Sequence, residues 1–278
     1  MGSRIWFATC FIVLFFETQE AQAYNTEKDR QTDFSAYTLQ QNQYRLGLFQ
    51  LEYGVLDSLM VGTYTLPWLI MPVTQSPSFD LYSKWKFIDI DSWAASIKGT
   101  VFYFDVNGFS SGTIDDGVFR ATIVPLSLML SHVFNDEWTG SFESAWVQTF
   151  ISGAVDTSSE ASAFGAGAQS NFQVALTGEY RVNHVLALNF LGRWVPYVTE
   201  ARVSSNVSVN DATEVQITAD LSAEDLINAW QLQTGVTFSW KTFNLQMGVG
   251  YGNVFIPGLR IVGPSKFILP DFDLYFRF

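Results

Sequence analysis

The chain has 278 residues, of which 48% are hydrophobic and 16% aromatic but only 15% charged, and it carries a net charge of −12. That mixture is oily for a water-soluble domain, and the acidic balance argues against nucleic acid as a partner. One cysteine rules out a disulfide framework, and two histidines leave little with which to build a transition-metal centre.

Residues 1–23 read as a secretory signal peptide. Arg4 supplies the positive start, Ile5 to Phe16 the apolar stretch, and Ala21-Gln22-Ala23 a small-x-small cleavage site. About a dozen apolar residues are too few to span a bilayer. Cleavage before Tyr24 would remove the only cysteine and leave 14 basic against 25 acidic residues, a net charge of −11. Residues 24–33 are polar and are expected to form a flexible lead-in.

From residue 34 onward no apolar run approaches the roughly 18 residues of a membrane helix. Amphipathic runs follow one another instead, at 43–55, 59–70, 79–90, 93–107, 118–134, 138–151, 168–181, 184–198, 226–240, 243–256 and 267–278. Within them apolar and polar side chains alternate with the period of a strand. In 226–240, for example, Trp230, Leu232, Val236, Phe238 and Trp240 oppose Gln231, Gln233, Thr237 and Ser239.

The connections alternate too. Tight turns at Leu56-Asp57-Ser58, Asp91-Ser92, Asn135-Asp136-Glu137, Arg181-Val182-Asn183 and Lys241-Thr242 interleave with longer breaks at 71–78, 108–117, 152–167, 199–225 and 257–266. Short turns on one side and long loops on the other are the habit of membrane barrels. Eleven runs are one short of an even number, and Phe34–Leu39 is expected to supply the twelfth strand; ten strands, with one hairpin misread, is the other count.

The inward, polar faces should carry any function. Lys84, Lys86 and Lys98, with Glu143, Glu179, Arg181 and Arg193 further round, are the expected pore lining, where charge sets the potential felt by a solute. Trp93, Trp138 and Trp240 lie beside tight turns, and Trp68, Trp146, Trp194 and Trp230 nearer the long breaks, as two interfacial belts would require. His132 and His184 both fall beside tight turns, so no His–Ser pair is expected on the loop side, and an enzyme is not expected. The break at 199–225 holds Glu200, Asp211, Glu214, Asp220, Glu224 and Asp225 against Arg202 alone, and it is expected to extend a hairpin above the membrane.

The chain closes on Phe272-Asp273-Leu274-Tyr275-Phe276-Arg277-Phe278, with Phe272, Leu274, Phe276 and Phe278 on one face. This ending resembles the carboxy-terminal assembly signal of bacterial, Gram-negative outer-membrane β-barrels. The resemblance implies an all-β transmembrane antiparallel up-and-down barrel of about twelve strands over residues 34–278, in the outer membrane. Its implied partners are outer-membrane lipid and the barrel-assembly machinery, with no cofactor and no metal. The expected function is a passive channel or transporter for small polar solutes; the alternative is a sealed barrel with a structural, adhesive or partner-binding role in its outer loops.

Overall fold

The computed structural model describes residues 31–65, 67–68, 77–107, 114–157, 161–199, 201–209, 213–221, 226–240, 242–255, 258, 260 and 262–278. The signal peptide, the first part of the lead-in, Lys241 and parts of the expected long breaks, chiefly 71–76 and 108–113, lie outside the described residues, while much of the expected breaks at 152–167 and 257–266 is strand.

Among the described residues, fourteen strands make one antiparallel sheet that closes on itself. They are β1 (Tyr44–Gly47), β2 (Gln50–Leu56), β3 (Leu59–Tyr64), β4 (Ser78–Ile90), β5 (Trp93–Asn107), β6 (Ile114–Val133), β7 (Trp138–Thr157), β8 (Ala161–Arg181), β9 (Leu186–Val198), β10 (Ala201–Val209), β11 (Thr213–Leu221), β12 (Trp230–Trp240), β13 (Phe243–Phe255) and β14 (Val262–Arg277). Twelve of them form the barrel, in the order β1 through β9 and then β12, β13 and β14, with β14 returning to β1. β10 continues the line of β9 along β8, with Asn171 opposite Val198 and Ala168 opposite Arg202. β11 pairs with β10 alone, so β10 and β11 form a hairpin standing beyond the barrel on the loop side, as the 199–225 break led one to expect.

Burial is inverted relative to a soluble protein. Inward Arg45, Lys84 and Glu143 are each 1% exposed, whereas outward Leu81, Leu176 and Ile268 are 62%, 65% and 73% exposed. A face of that kind is stable only against hydrocarbon, and a closed barrel is how strands satisfy their backbone there. Among the described residues no helix is long and apolar enough to cross a membrane.

The strand count agrees with expectation, but its composition does not. The run 43–55 is two strands joined at Leu48 and Phe49, which are 49% and 46% exposed. Phe34–Leu39 is no strand. It is a plug: Ser35, Ala36, Tyr37 and Leu39 are all buried regardless of parity, because the segment lies inside the barrel and is surrounded on every side. The Ala36 amide donates to Ser131 Oγ at 2.7 Å, across the wall from β1.

The wall is uneven. β6, β7 and β8 run for 20, 20 and 21 residues, while β1, β2 and β3 have 4, 7 and 6. At about 3.4 Å per residue, β1 rises only about 14 Å, short of the roughly 25 Å apolar band. Among the described residues, β14 above Leu274 therefore pairs only with β13.

Candidate functional site: a plugged lumen

The site is the barrel interior at the level where the plug meets the wall. Alternation aims Arg45 of β1, Glu52 of β2, Tyr82 and Lys84 of β4, Lys98 of β5, Glu143 of β7, Arg193 of β9 and Asp273 of β14 inward. The plug brings Thr32, Asp33 and Phe34 to the same level.

Arg45 is the hub. Its guanidinium lies 2.6 Å from Asp33, 3.4 Å from Glu52 and 2.9 Å from Asp273, and stacks over the Tyr275 ring at 4.0 Å. Glu52 accepts from the Tyr82 hydroxyl at 2.6 Å and from Thr32 Oγ1 at 3.1 Å. Lys84 donates to the Thr32 carbonyl at 2.8 Å, and Gln50 donates to Asp33. Burial pushes the Asp33 carboxyl up, but Arg45 and the Gln50 hydrogen bond outweigh it and hold the group below its usual 3.8. Buried charges survive only when compensated in this way.

A second segment enters from the loop side. Arg260, between β13 and β14, pairs with Glu143, and Gln173 donates to the Arg260 carbonyl at 2.7 Å. Burial lowers the Arg260 pKa, yet Glu143 outweighs burial and raises it above the usual value. Gly258 (φ 77°) lies so close to Tyr64 that a Cβ would sit 2.6 Å from the ring, and only glycine fits.

Phe34 and Arg260, one on each entering segment, both adopt positive φ, 54° and 60°. Such conformations cost on the order of 1 kcal/mol or more and persist where surrounding contacts impose them. Phe34 is held by Arg193, whose guanidinium lies 4.4 Å from its ring centre and 5.7 Å from that of Phe255.

On the loop side of this charged layer the interior turns apolar. Phe102 stands four residues beyond Lys98, Val147 four beyond Glu143, and Val195 two beyond Arg193; Phe102 and Val147 pack with Ile123, and Val195 with Val198, Ala229 and Phe255. On the turn side, Ala36 and Tyr37 pack on Ala94 and Met129, and Leu39 on Met60 and Tyr82.

The residues expected to line a pore all face inward, but in a packed interior. Lys84 and Glu143 are engaged as described. Lys98 donates to the Tyr64 hydroxyl at 2.8 Å and lies 4.0 Å from the Tyr82 ring centre. Glu179 and Arg181 pair with each other at 2.7 Å, beside Ser35 and Tyr37 of the plug. Lys86 sits lower and pairs with Asp89 near the turn.

Arg45, Glu52, Asp33 and Arg260 were not expected. Arg45 and Glu52 were hidden by reading 43–55 as one strand, and Asp33 by reading its segment as a loose lead-in. Nothing in the sequence distinguishes Arg260 from a solvated loop residue.

Outside the barrel, Trp93, Trp138 and Trp240 lie at the turn-side ends of their strands and are 47%, 42% and 38% exposed. Trp68, Trp146 and Trp194 are similarly exposed, Trp230 less so, and all four lie toward the loop side. Phe272, Leu274, Phe276 and Phe278 share the outward face of β14, and Phe276 pairs with Leu46 of β1 to close the barrel. His132 stacks on Trp93 at 4.1 Å beside the turn after β6, and His184 lies in the turn after β8.

No family model matches this chain, and no curated protein matches it. Among solved structures it is similar to the P. putida toluene transporter TodX, with 10% identity and a TM-score of 0.45 over 87% of this chain and 68% of that one. It is similar to the translocator domain of the autotransporter NalP from Neisseria meningitidis, with 9% identity and a TM-score of 0.45 over 84% and 83%. An outer membrane channel from Pseudomonas putida F1 shows 11% identity and a TM-score of 0.30 over 89% and 97%.

Proposed function

We propose that this protein is a non-enzymatic outer-membrane channel for small solutes, closed at rest by its own N-terminal segment. The observation that carries the reading is the chemistry of the seal. Asp33 and Thr32 are fastened to the wall through Arg45, Glu52 and Lys84, all buried. Apolar packing would make a stabler permanent seal, since replacing a buried ion pair by well-packed apolar groups is often neutral or stabilising by roughly 1–4 kcal/mol. A charged latch suits a segment that must leave, because water can receive each charge when it lets go.

The order of surfaces suggests the solute. From the loop side a molecule would meet the apolar girdle of Phe102, Ile123, Val147 and Phe255, then the charged layer around Lys84, Lys98 and Glu143. That sequence favours small molecules with an apolar body and a polar group over bare hydrated ions.

Single-channel recording of refolded chain 24–278 in a planar bilayer tests this. The full chain should be closed with rare openings, and deletion of residues 24–40 should give steady conductance. Lys84→Glu in the deleted chain should then shift selectivity toward cations. A deletion variant that keeps the heat-modifiable migration of a folded barrel yet passes no current would overturn the channel reading in favour of a sealed barrel working through its loops.

A further inference from the structure

The outer wall carries a groove of about 790 Å³ that crosses β8, β9, β12, β13 and β14 and belongs to neither plug nor lumen. Its floor is Gly178, Gly192 and Thr234; its rim is Leu176, Leu232 and Ile268, exposed by 65%, 61% and 73%. All six side-chain positions point outward by strand parity.

The two glycines are not demanded by the backbone. Neither has positive φ. A Cβ at Gly178 would meet nothing nearer than 4.0 Å, and one at Gly192 would make an ordinary 3.5 Å contact with Leu232. Larger side chains would fit there, and their absence is what makes the groove.

The groove has a defined depth in the membrane. Trp230 and Trp240 cap β12, ten residues apart, about 34 Å along a strand, which tilts to about the height of the apolar band. Leu232 and Thr234 lie two and four residues in from Trp230, so this end of the groove lies in the loop-side leaflet, and the groove runs down from there to Gly178, three residues from the turn-side end of β8. Directly at its loop-side end Tyr251 and Trp230 meet edge-on, with ring centres 5.8 Å apart, and the exposed Lys266 ammonium lies 5.2 Å from the Trp230 ring centre.

We infer that this groove is a specific binding site for an anionic phospholipid-type molecule of the outer leaflet. One acyl chain lies over Thr234 and Gly192 and points down the groove toward Gly178, and its phosphate is met by Lys266 at the aromatic girdle. The floor supplies the shape that an acyl chain fills, and Lys266 supplies the charge at the height where a headgroup lies. The inference rests on the barrel's place in a membrane and not on conduction.

Native mass spectrometry of the folded protein, delipidated in detergent and titrated with dioleoyl phosphatidylglycerol, tests it. The phosphatidylcholine of the same chains and inorganic phosphate serve as the comparison probes. Wild type should retain one phosphatidylglycerol in clear preference to phosphatidylcholine, and millimolar phosphate should not displace it. Gly178→Leu with Gly192→Leu should abolish that retention. Lys266→Gln, at an exposed position that leaves the fold alone, should lower it about five-fold, the contribution of one lysine near a membrane surface, without changing phosphatidylcholine binding. Equal retention of both lipids, displacement by phosphate, or retention unchanged in either variant would overturn the inference. Conductance of the plug-deleted chain should be the same with and without the groove substitutions, which separates this result from the channel reading.

Discussion

At the scale of single residues the seal is a problem in compensation. Arg45 is surrounded by Asp33, Glu52 and Asp273, three carboxylates for one guanidinium. Removing one member of such a buried group costs about 3–5 kcal/mol, mostly because the remainder is left uncompensated. Asp33 is the member that belongs to the moving part, and its carboxyl is held below 3.8 in the closed state. A depressed acid stabilises above its unfolded pKa and loses that contribution as pH falls through the folded value. The latch should therefore be intact at neutral pH and weaken only below about pH 4, where a protonated Asp33 no longer holds Arg45. Open probability in bilayer recordings should rise as pH falls below about 4 in the wild type, and Asp33→Asn should already show the acid level of opening at pH 7.

At the scale of elements, β2 is the cradle of the plug. Gly54 of β2 accepts from the Asn42 amide at 2.8 Å, and a Cβ at Gly54 would fall 1.8 Å from the Gln40 carbonyl oxygen. Gly54→Val should therefore push the plug off its seat without touching a charge. The expected result is frequent openings and faster protease cleavage within residues 31–42, with the barrel still heat-modifiable; a closed, protected plug in that variant would show that β2 does not seat it. The same element shows what alternation can and cannot reveal. Arg45 and Gly47 face inward from odd positions, whereas Gln50 and Glu52 face inward from even ones. The slip of one, between the adjacent exposed Leu48 and Phe49, is the signature of a turn, since it exchanges faces. It was legible but easily passed over in an apolar run. Most strand faces, the tight turns and the hairpin after β9 followed directly from period and punctuation. The plug did not, because a segment enclosed on all sides has no wet face and so no period. Nor did Arg260, whose place depends on a fold of loop that no local pattern encodes.

At the scale of the whole molecule the barrel is a circle closed by a thin joint. Three residue pairs join β1 to β14, Arg45 to Arg277, Leu46 to Phe276 and Gly47 to Tyr275, whereas β7 and β8 are matched along nearly their full lengths from Trp138–Tyr180 to Asp156–Ser162. The joint brings together segments more than two hundred residues apart in the chain, so closing it carries the largest loop-closure cost for few hydrogen bonds. Read as kinetics, the short β1 strand makes closure the last event of folding and reopening the first event of unfolding. Amides of Arg45, Leu46 and Gly47 should exchange with deuterium well before those at the centres of β7 and β8. Because Arg45 stands in that joint, the clasp of the ring and the latch of the plug are one residue, and a barrel that has not yet closed cannot yet be sealed.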